Sequence, residues 1–186
     1  YGNDVLKQLL PHMIEQLELC QKALSGYLDQ KRAAFPRFFF VADATLLEVL
    51  SQGSNPQAIQ PHLQSCFDSV VYAEFNKKDK TLIDQLQSAE GQTINLHAPV
   101  RAEGNIEEWL DKLLKEMQNT VNRIISYAAS DCDVMDTETL THKYQAQVSL
   151  IGIQFKWTTD SEDALYRAKT EKGIIKSTNK KHQQRL

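Results

Sequence analysis

The chain has 186 residues, a formal net charge of −3 and a pI near 6.0. With no overall basic field, nucleic acid is disfavoured as a partner. No apolar run is long enough to span a bilayer and no secretory signal opens the chain, so no membrane association is predicted. Three widely spaced cysteines, Cys20, Cys66 and Cys132, favour reduced thiols in a cytosolic-type compartment. Because the first residue is not Met and an apolar helical pattern begins at once, we expect a piece of a longer protein.

The N-terminal region predicts one long amphipathic helix over residues 5–34, or two helices that meet at Pro11, which is unfavourable inside a helix. Apolar residues recur there at helical spacing, among them Leu17, Cys20, Leu24 and Leu28. Lys31 and Arg32 fall in the expected last turn, where cations favour the negative end of the helix dipole.

An aromatic-rich corner is predicted directly after this helix. Pro36 is expected to end the helix and to hold Phe35 in extended geometry. The aromatic run continues with Phe38, Phe39 and Phe40. Since each aromatic can bury roughly 150–250 Å², we predict that this run is the centre of a core. Arg37 can either fasten the corner by stacking on a ring or serve as a docking contact to a neighbouring domain.

In the middle of the chain, the spacing of apolar residues changes from that of helices to that of strands. Short helices are predicted at Asp43–Leu50 and Ile59–Phe67. Three strand-like segments then follow, at Ser69–Phe75, Thr81–Leu86 and Thr93–His97, with a turn signal at Glu90-Gly91. They predict a small antiparallel β-meander at about residues 69–98.

The C-terminal part is predicted to be helical. Asn105 caps a long helix that reaches Ala129. Leu140–Trp157 carries two apolar stripes, which predicts a helix buried on both sides. Thr159–Glu162 resembles a capping box that opens a further, polar helix.

The predicted fold is therefore mainly α, a helical bundle of long helices with one small antiparallel β-meander. We divide it into N-terminal helices with the aromatic corner (1–68), the meander (69–104) and a long-helix bundle (105–186), all within one domain.

Residues that could carry chemistry are few. The sequence contains neither GxxxxGK[ST] nor GxGxxG, so no nucleotide site is predicted in it. His62 and Cys66 are spaced as metal ligands on a helix can be, but no second ligand pair accompanies them. Asp131 and Asp133 flank Cys132 and would raise its thiol pKa, the wrong direction for a nucleophile. We predict no catalytic, cofactor-binding or metal site.

Several segments carry a family resemblance. They include Tyr27–Arg32, the FPRFFF run of Phe35–Phe40, Leu46–Leu50, Gln60–Leu63, Glu103–Leu110, Gln145–Val148, Ile151–Gln154 and Trp157-Thr158. Together they resemble the dynein heavy chain family, in the C-terminal half of its linker, over about Leu17 to Asn179. Asp29 and Gln92 each stand where that family usually has Glu. The VADATLLEVL stretch looks axonemal, and the DSE-x-AL and KSTN runs resemble an outer-arm gamma-type heavy chain.

This resemblance implies a force-transmitting linker segment that docks on the AAA+ ring of the same heavy chain and holds no cofactor itself. The parent would be an ATP-hydrolysing microtubule motor of the cytoplasm or cilium axoneme, with ATP and Mg in its ring and with other dynein subunits and microtubules as partners. The candidates for structural or docking roles are Tyr27, Arg32, Phe35, Pro36, Arg37, Phe38, Phe39, Phe40, Trp109 and Trp157.

Two other functions remain open from the residues alone. One is a free-standing helical adaptor, and the other is a helical hydrolase that uses His62 or the Asp131 loop. A nucleotide-binding sequence downstream in the parent gene would favour the motor, whereas ATP turnover or tight metal binding by the chain itself would favour the enzyme.

Overall fold

The structure is a computed structural model that describes residues 4–53 and 55–183. The fold is mainly α with one small antiparallel sheet, as predicted. The α-helices are α1 (Asp4–Ala34), α2 (Asp43–Ser51), α3 (Leu63–Phe67), α4 (Ile106–Asp131), α5 (Thr137–Lys143), α6 (Ala146–Arg167) and α7 (Ile174–Gln183). The strands are β1 (Tyr72–Phe75), β2 (Leu82–Gln87) and β3 (Thr93–Arg101), and 3₁₀ helices lie at Pro36–Phe40 and Pro56–His62. Two compact units result, within Tyr1–Leu114 and Lys115–Leu186.

The first helix, α1, is continuous, with Pro11 inside it, so the alternative of two helices is wrong. The helix ends before Phe35, whose φ of −134° and ψ of 94° are extended. The proline that follows makes this geometry favourable because it excludes the helical region for the preceding residue. The chain then turns through the Pro36–Phe40 3₁₀ helix, and α1 contacts that turn and α2.

The three strands form the predicted meander, in the order β1-β2-β3 with antiparallel pairing. Gly91 lies in the turn between β2 and β3 at a φ of 80°, which a residue without a Cβ adopts at little cost. Gln60 joins the sheet to the second 3₁₀ helix, since its side-chain amide donates to the Ala73 carbonyl at 2.5 Å and accepts from the Ala73 N–H at 3.1 Å.

Large apolar side chains fill the core of the first unit. Its fully buried members include Leu28, Phe35, Phe38, Leu46, Leu63, Ile83, Trp109, Leu110 and Leu113. They come from α1, the aromatic corner, α2, α3, the sheet and the start of α4, so the meander and the helices share one core.

The second unit differs from its prediction in three ways. The expected single helix at 140–157 is two helices, because the chain is extended at Tyr144 between α5 and α6. The expected helix start at Thr159–Glu162 lies inside α6. Finally, α6 is not buried on both sides, since its large apolar residues Leu150, Phe155 and Trp157 are exposed.

The buried residues of α6 are Val148 and three small ones, Ser149, Gly152 and Ala164. A Cβ at Gly152 would lie 2.7 Å from the Cys132 Sγ and 3.4 Å from the Ala128 carbonyl oxygen. The end of α4 therefore approaches α6 so closely that a Cβ at position 152 would force the Cys132 side chain to shift. In the part of the chain that the structure describes, no helix is both long and apolar enough to cross a membrane.

Candidate functional site

The aromatic corner, residues Phe35 to Phe40, is anchored by two buried rings. Phe35 and Phe38 are 0% and 1% exposed, and their ring centroids lie 5.0 Å apart at an interplanar angle of 79°. This edge-to-face geometry is a favoured one for aromatic pairs. The Phe67 ring of α3 lies 6.2 Å from that of Phe35 and extends the cluster.

Arg32 fastens the end of α1 to the corner. Its Nε donates to the Phe38 carbonyl at 3.5 Å, and its Nη2 donates to the Val41 carbonyl at 3.2 Å and to Asp43 Oδ1 at 2.5 Å. The guanidinium carbon also lies 5.9 Å from the centre of the Phe39 ring. One side chain thus donates to one carbonyl inside the 3₁₀ turn and to another directly after it, and ties both to the end of α1.

Arg37 ties the same turn to α3. Its Nη1 donates to the Cys66 carbonyl at 2.9 Å, and its guanidinium carbon lies 5.4 Å from the Phe67 ring centre. These contacts hold the turn against α3. Burial raises the pKa of the Cys66 thiol to about 11, although the Arg37 charge opposes this. The thiol therefore stays protonated at neutral pH, which disfavours it as a metal ligand beside His62.

A partly buried ion pair, which the sequence does not predict, joins α1 to the start of α4. Lys31 Nζ donates to Glu107 Oε1 at 2.5 Å, and Glu107 is buried. This hydrogen bond raises the pKa of Lys31 above its ordinary value, although burial opposes the shift. The two residues lie far apart in the chain, so no local pattern in one sequence could have revealed their pairing.

The second half of the corner faces outward. Phe39 and Phe40 are 66% and 79% exposed, so the prediction that they belong to the core is wrong. The reason is the 3₁₀ geometry, in which side chains three residues apart share one side of the turn. Phe35 and Phe38 occupy the inner side of the turn, and Phe39 and Phe40, which follow Phe38, are therefore exposed to solvent.

The remaining candidates do not form one cluster. Tyr27 is partly exposed on α1, with the Lys31 ammonium 5.5 Å from its ring centre. Trp109 is buried in the first unit, whereas Trp157 belongs to the second unit and is exposed.

Asp131, the last residue of α4, joins that helix to the end of α5. Asp131 Oδ2 accepts hydrogen bonds from Lys143 Nζ at 2.5 Å and from the Tyr144 hydroxyl at 2.6 Å. Both hydrogen bonds lower the pKa of the Asp131 carboxyl, and the bond from Lys143 has the larger effect. Within residues 4–53 and 55–183, no group of three or more His, Cys, Asp or Glu side chains is placed to hold a metal ion.

A charged cluster lies beside a cleft of about 880 Å³ in the second unit, and two of its members, Asp133 and Lys156, line that cleft. Lys156 pairs with Asp133 and with Asp160, the latter at 3.3 Å, and Lys181 lies 3.3 Å from Asp160 as well. Burial disfavours ionisation of Asp160, but hydrogen bonds from both lysines outweigh it and lower the pKa of this carboxyl. The charges of the cluster are thus paired with one another.

Comparison with known proteins identifies the family of this chain. A family profile described as dynein heavy chain, N-terminal region 2, matches residues 1–128. The chain belongs to the dynein heavy chain family. It is 46% identical over 96% of its length to dynein axonemal heavy chain 5 of Rattus norvegicus and 46% identical over 97% to dynein axonemal heavy chain 8 of Mus musculus. It is also 43% identical over 97% of its length to the dynein gamma chain of the flagellar outer arm of Chlamydomonas reinhardtii.

These relatives are much longer than the chain, which spans only 4% to 5% of their length. Over the region that they share with this chain, their sequence identities confirm the resemblance to an axonemal dynein heavy chain.

Proposed function

We propose that the chain is a force-transmitting linker segment of an axonemal outer-arm dynein heavy chain. It docks on the AAA+ ring of that heavy chain and couples ATP-driven changes in the ring to movement along microtubules. ATP and Mg bind in the ring, and this segment performs no chemistry. The relatives named as axonemal and flagellar outer-arm chains support a place in the cilium.

The exposure of Phe39 and Phe40 beside a buried aromatic pair is the observation that carries this proposal. Two adjacent aromatic side chains are exposed on a turn whose neighbours Phe35 and Phe38 are fully buried. Hydrogen bonds from Arg32 hold the backbone of that turn. Preorganised aromatic groups lose little entropy on binding and often dominate interfaces, so the corner suits docking.

The packing of the first unit supports load transfer. Its core joins α1, the corner, α2, α3, the sheet and α4 through fully buried side chains. Close-packed interiors deform little and pass strain on. A force applied at the exposed face of the corner would then move the unit as one piece.

The test is motility of the parent heavy chain carrying Phe39→Ala and Phe40→Ala together. We expect microtubule gliding to slow severalfold while nucleotide turnover by the ring persists, because the ring stays intact and only its coupling is weakened. Val134→Ala, which truncates another exposed apolar side chain, serves as the matched control and is expected to leave gliding unchanged. Normal gliding by the double variant would contradict the docking role.

A further inference from the structure

The turn between α6 and α7 presents a hydroxyl group to solvent. Thr170 is exposed in the middle of this turn, residues 168–173, which follows the last residue of α6. Its Oγ1 donates to the Arg167 carbonyl at 3.2 Å, a bond to the residue that ends that helix. Gly173 ends the turn with a φ of 86°, and α7 begins at the next residue. Exposed polar turns are the parts of a fold that proteases reach most easily, and a protein kinase needs similar access.

Basic residues flank Thr170 in the sequence. Arg167 precedes it by three residues and Lys169 by one, and Lys172 follows it by two. Kinases distinguish their substrates by such charge patterns, because an acidic groove accepts basic side chains and rejects acidic ones. An arginine three residues before the hydroxyl is the pattern that basophilic serine/threonine kinases select. The sequence around Thr170 therefore fits this class of enzyme.

The structure distinguishes Thr170 from a second hydroxyl with the same pattern. An arginine precedes a Ser or Thr by three residues at one other place in the sequence, at Ser126. That hydroxyl is exposed too, but it lies inside α4 and donates to the Asn122 carbonyl one helical turn earlier. A kinase binds its substrate segment in an extended form, so Ser126 is accessible only when part of α4 unfolds. The turn at Thr170 requires a much smaller opening.

The side-chain contacts of the turn lie in solvent and are easily released. The Arg167 guanidinium donates to the two carboxylate oxygens of Glu171 at 3.1 and 2.7 Å and to Asp163 at 3.3 Å. These three side chains are between 45% and 60% exposed. Ion pairs in such positions contribute little to stability. Moving Arg167 from Glu171 into the groove of a kinase therefore requires little free energy.

We propose that Thr170 is a phosphorylation site for a basophilic serine/threonine kinase. The Thr170 Oγ1 attacks the γ-phosphorus of Mg-bound ATP, so that a new O–P bond forms and the bond from that phosphorus to ADP breaks. The hydroxyl proton passes to the catalytic carboxylate of the kinase, and ADP leaves. The product carries a charge of about −1.5 to −2. Since arginine binds phosphate and carboxylate alike through two parallel N–H groups, the phosphate competes with Glu171 for Arg167.

Phosphorylation of the purified parent heavy chain tests this proposal. The probe is MgATP with an activated calmodulin-dependent protein kinase, which selects an arginine three residues before the hydroxyl. Peptide mapping by mass spectrometry follows each site. We expect Thr170 to be phosphorylated at least about tenfold faster than Ser126, because only Ser126 requires a helix to unfold locally. Equal rates at the two hydroxyls, or an unmodified Thr170 while the kinase is active on a reference peptide, would overturn the proposal.

Substitutions of the flanking charges give a second test. Arg167→Ala removes the side chain that the kinase groove would bind, and we expect the rate at Thr170 to fall at least about tenfold. Glu171→Gln releases Arg167 from its ion pair and should raise that rate severalfold. Glu162→Gln, which changes another exposed acid on α6, is the matched control and should leave the rate unchanged.

An unchanged rate in Arg167→Ala, or a rate in Glu171→Gln no higher than in Glu162→Gln, would overturn the assignment. The proposal does not depend on the docking role of the corner, and none of these readouts involves motility. Failure here and failure of the docking role are therefore distinguishable.

Discussion

The two compact units differ in the size of the side chains that their helices bury. In the first, aromatic and large aliphatic residues such as Phe35, Phe38 and Trp109 are inside. In the second, the buried residues of α6 are Val148 and the small residues Ser149, Gly152 and Ala164, whereas Leu150, Phe155 and Trp157 of that helix are exposed. The difference teaches that hydrophobicity predicts burial in the core of the first unit, where helices and sheet pack together. Where helices approach closely, the size of the side chain decides.

The largest expected effect tests the aromatic core of the first unit. Phe38→Ala removes a fully buried ring, and we expect the free energy of unfolding to fall by ~3–5 kcal/mol. Urea unfolding followed by circular dichroism measures it. Phe40→Ala, which truncates the exposed neighbour, is expected to stay within about 0.5 kcal/mol of the parent. An equal loss of unfolding free energy in the two variants would contradict the assignment of Phe38 to the inner side of the corner and Phe40 to the outer side.

The next effect concerns the ion pair in the first unit. Lys31→Met leaves the buried carboxylate of Glu107 without its lysine, and we expect a loss of about 2 kcal/mol at pH 7. Lys22→Met, an exposed change on the same helix, is the control.

The pH dependence of the Lys31→Met effect has a definite sign. The pKa of Lys31 is raised above its ordinary value of 10.5 in the folded chain. Its stabilising effect is therefore complete below that ordinary value and is lost as the pH rises through the folded-state pKa. The difference between parent and Lys31→Met should shrink in alkaline urea titrations above that range. A difference that does not change with pH would contradict the charged pairing.

A smaller effect tests the close approach in the second unit. Gly152→Ala places a Cβ 2.7 Å from the Cys132 Sγ, and we expect a cost of about 1–3 kcal/mol. Adding Cys132→Ala removes the sulfur and should restore much of the loss. Gly26→Ala is the matched control in another helix, where a Cβ meets nothing within 4 Å. It should stabilise by up to about 1 kcal/mol, and a similar loss at both glycines would rule out the packing explanation.

The smallest effect concerns the start of α5. Asp136 accepts a hydrogen bond from the Thr139 N–H at 2.8 Å, and this bond, with a second from the Thr139 hydroxyl, lowers the pKa of the carboxyl. Its stabilising effect is present at neutral pH and is lost as the pH falls through that lowered value. Asp136→Ala should therefore lower Tm slightly at pH 7 and hardly at about pH 2. Asp136→Asn should remain close to the parent at pH 7, since Asn caps helices comparably.

Local rules in the sequence predicted most of the fold. The end of α1 before Pro36, the three-stranded meander and the start of α4 follow from proline geometry, strand alternation and capping. The pairing of Lys31 with Glu107 and the approach of Cys132 to Gly152 could not be predicted in this way, because they depend on which helices meet. The outward side of the corner was missed because a run of aromatics does not reveal whether the turn is extended or 3₁₀.

Hydrogen exchange in the parent motor tests the central claim most directly, namely that the first unit carries load as one preformed piece. The amides to follow are those of Phe38, Leu46 and Leu63, which lie in its core, with and without ATP. We expect strong protection that ATP does not change, because the unit moves without opening. Faster exchange at these amides when ATP is present would show that the corner opens during the cycle, and would contradict the account.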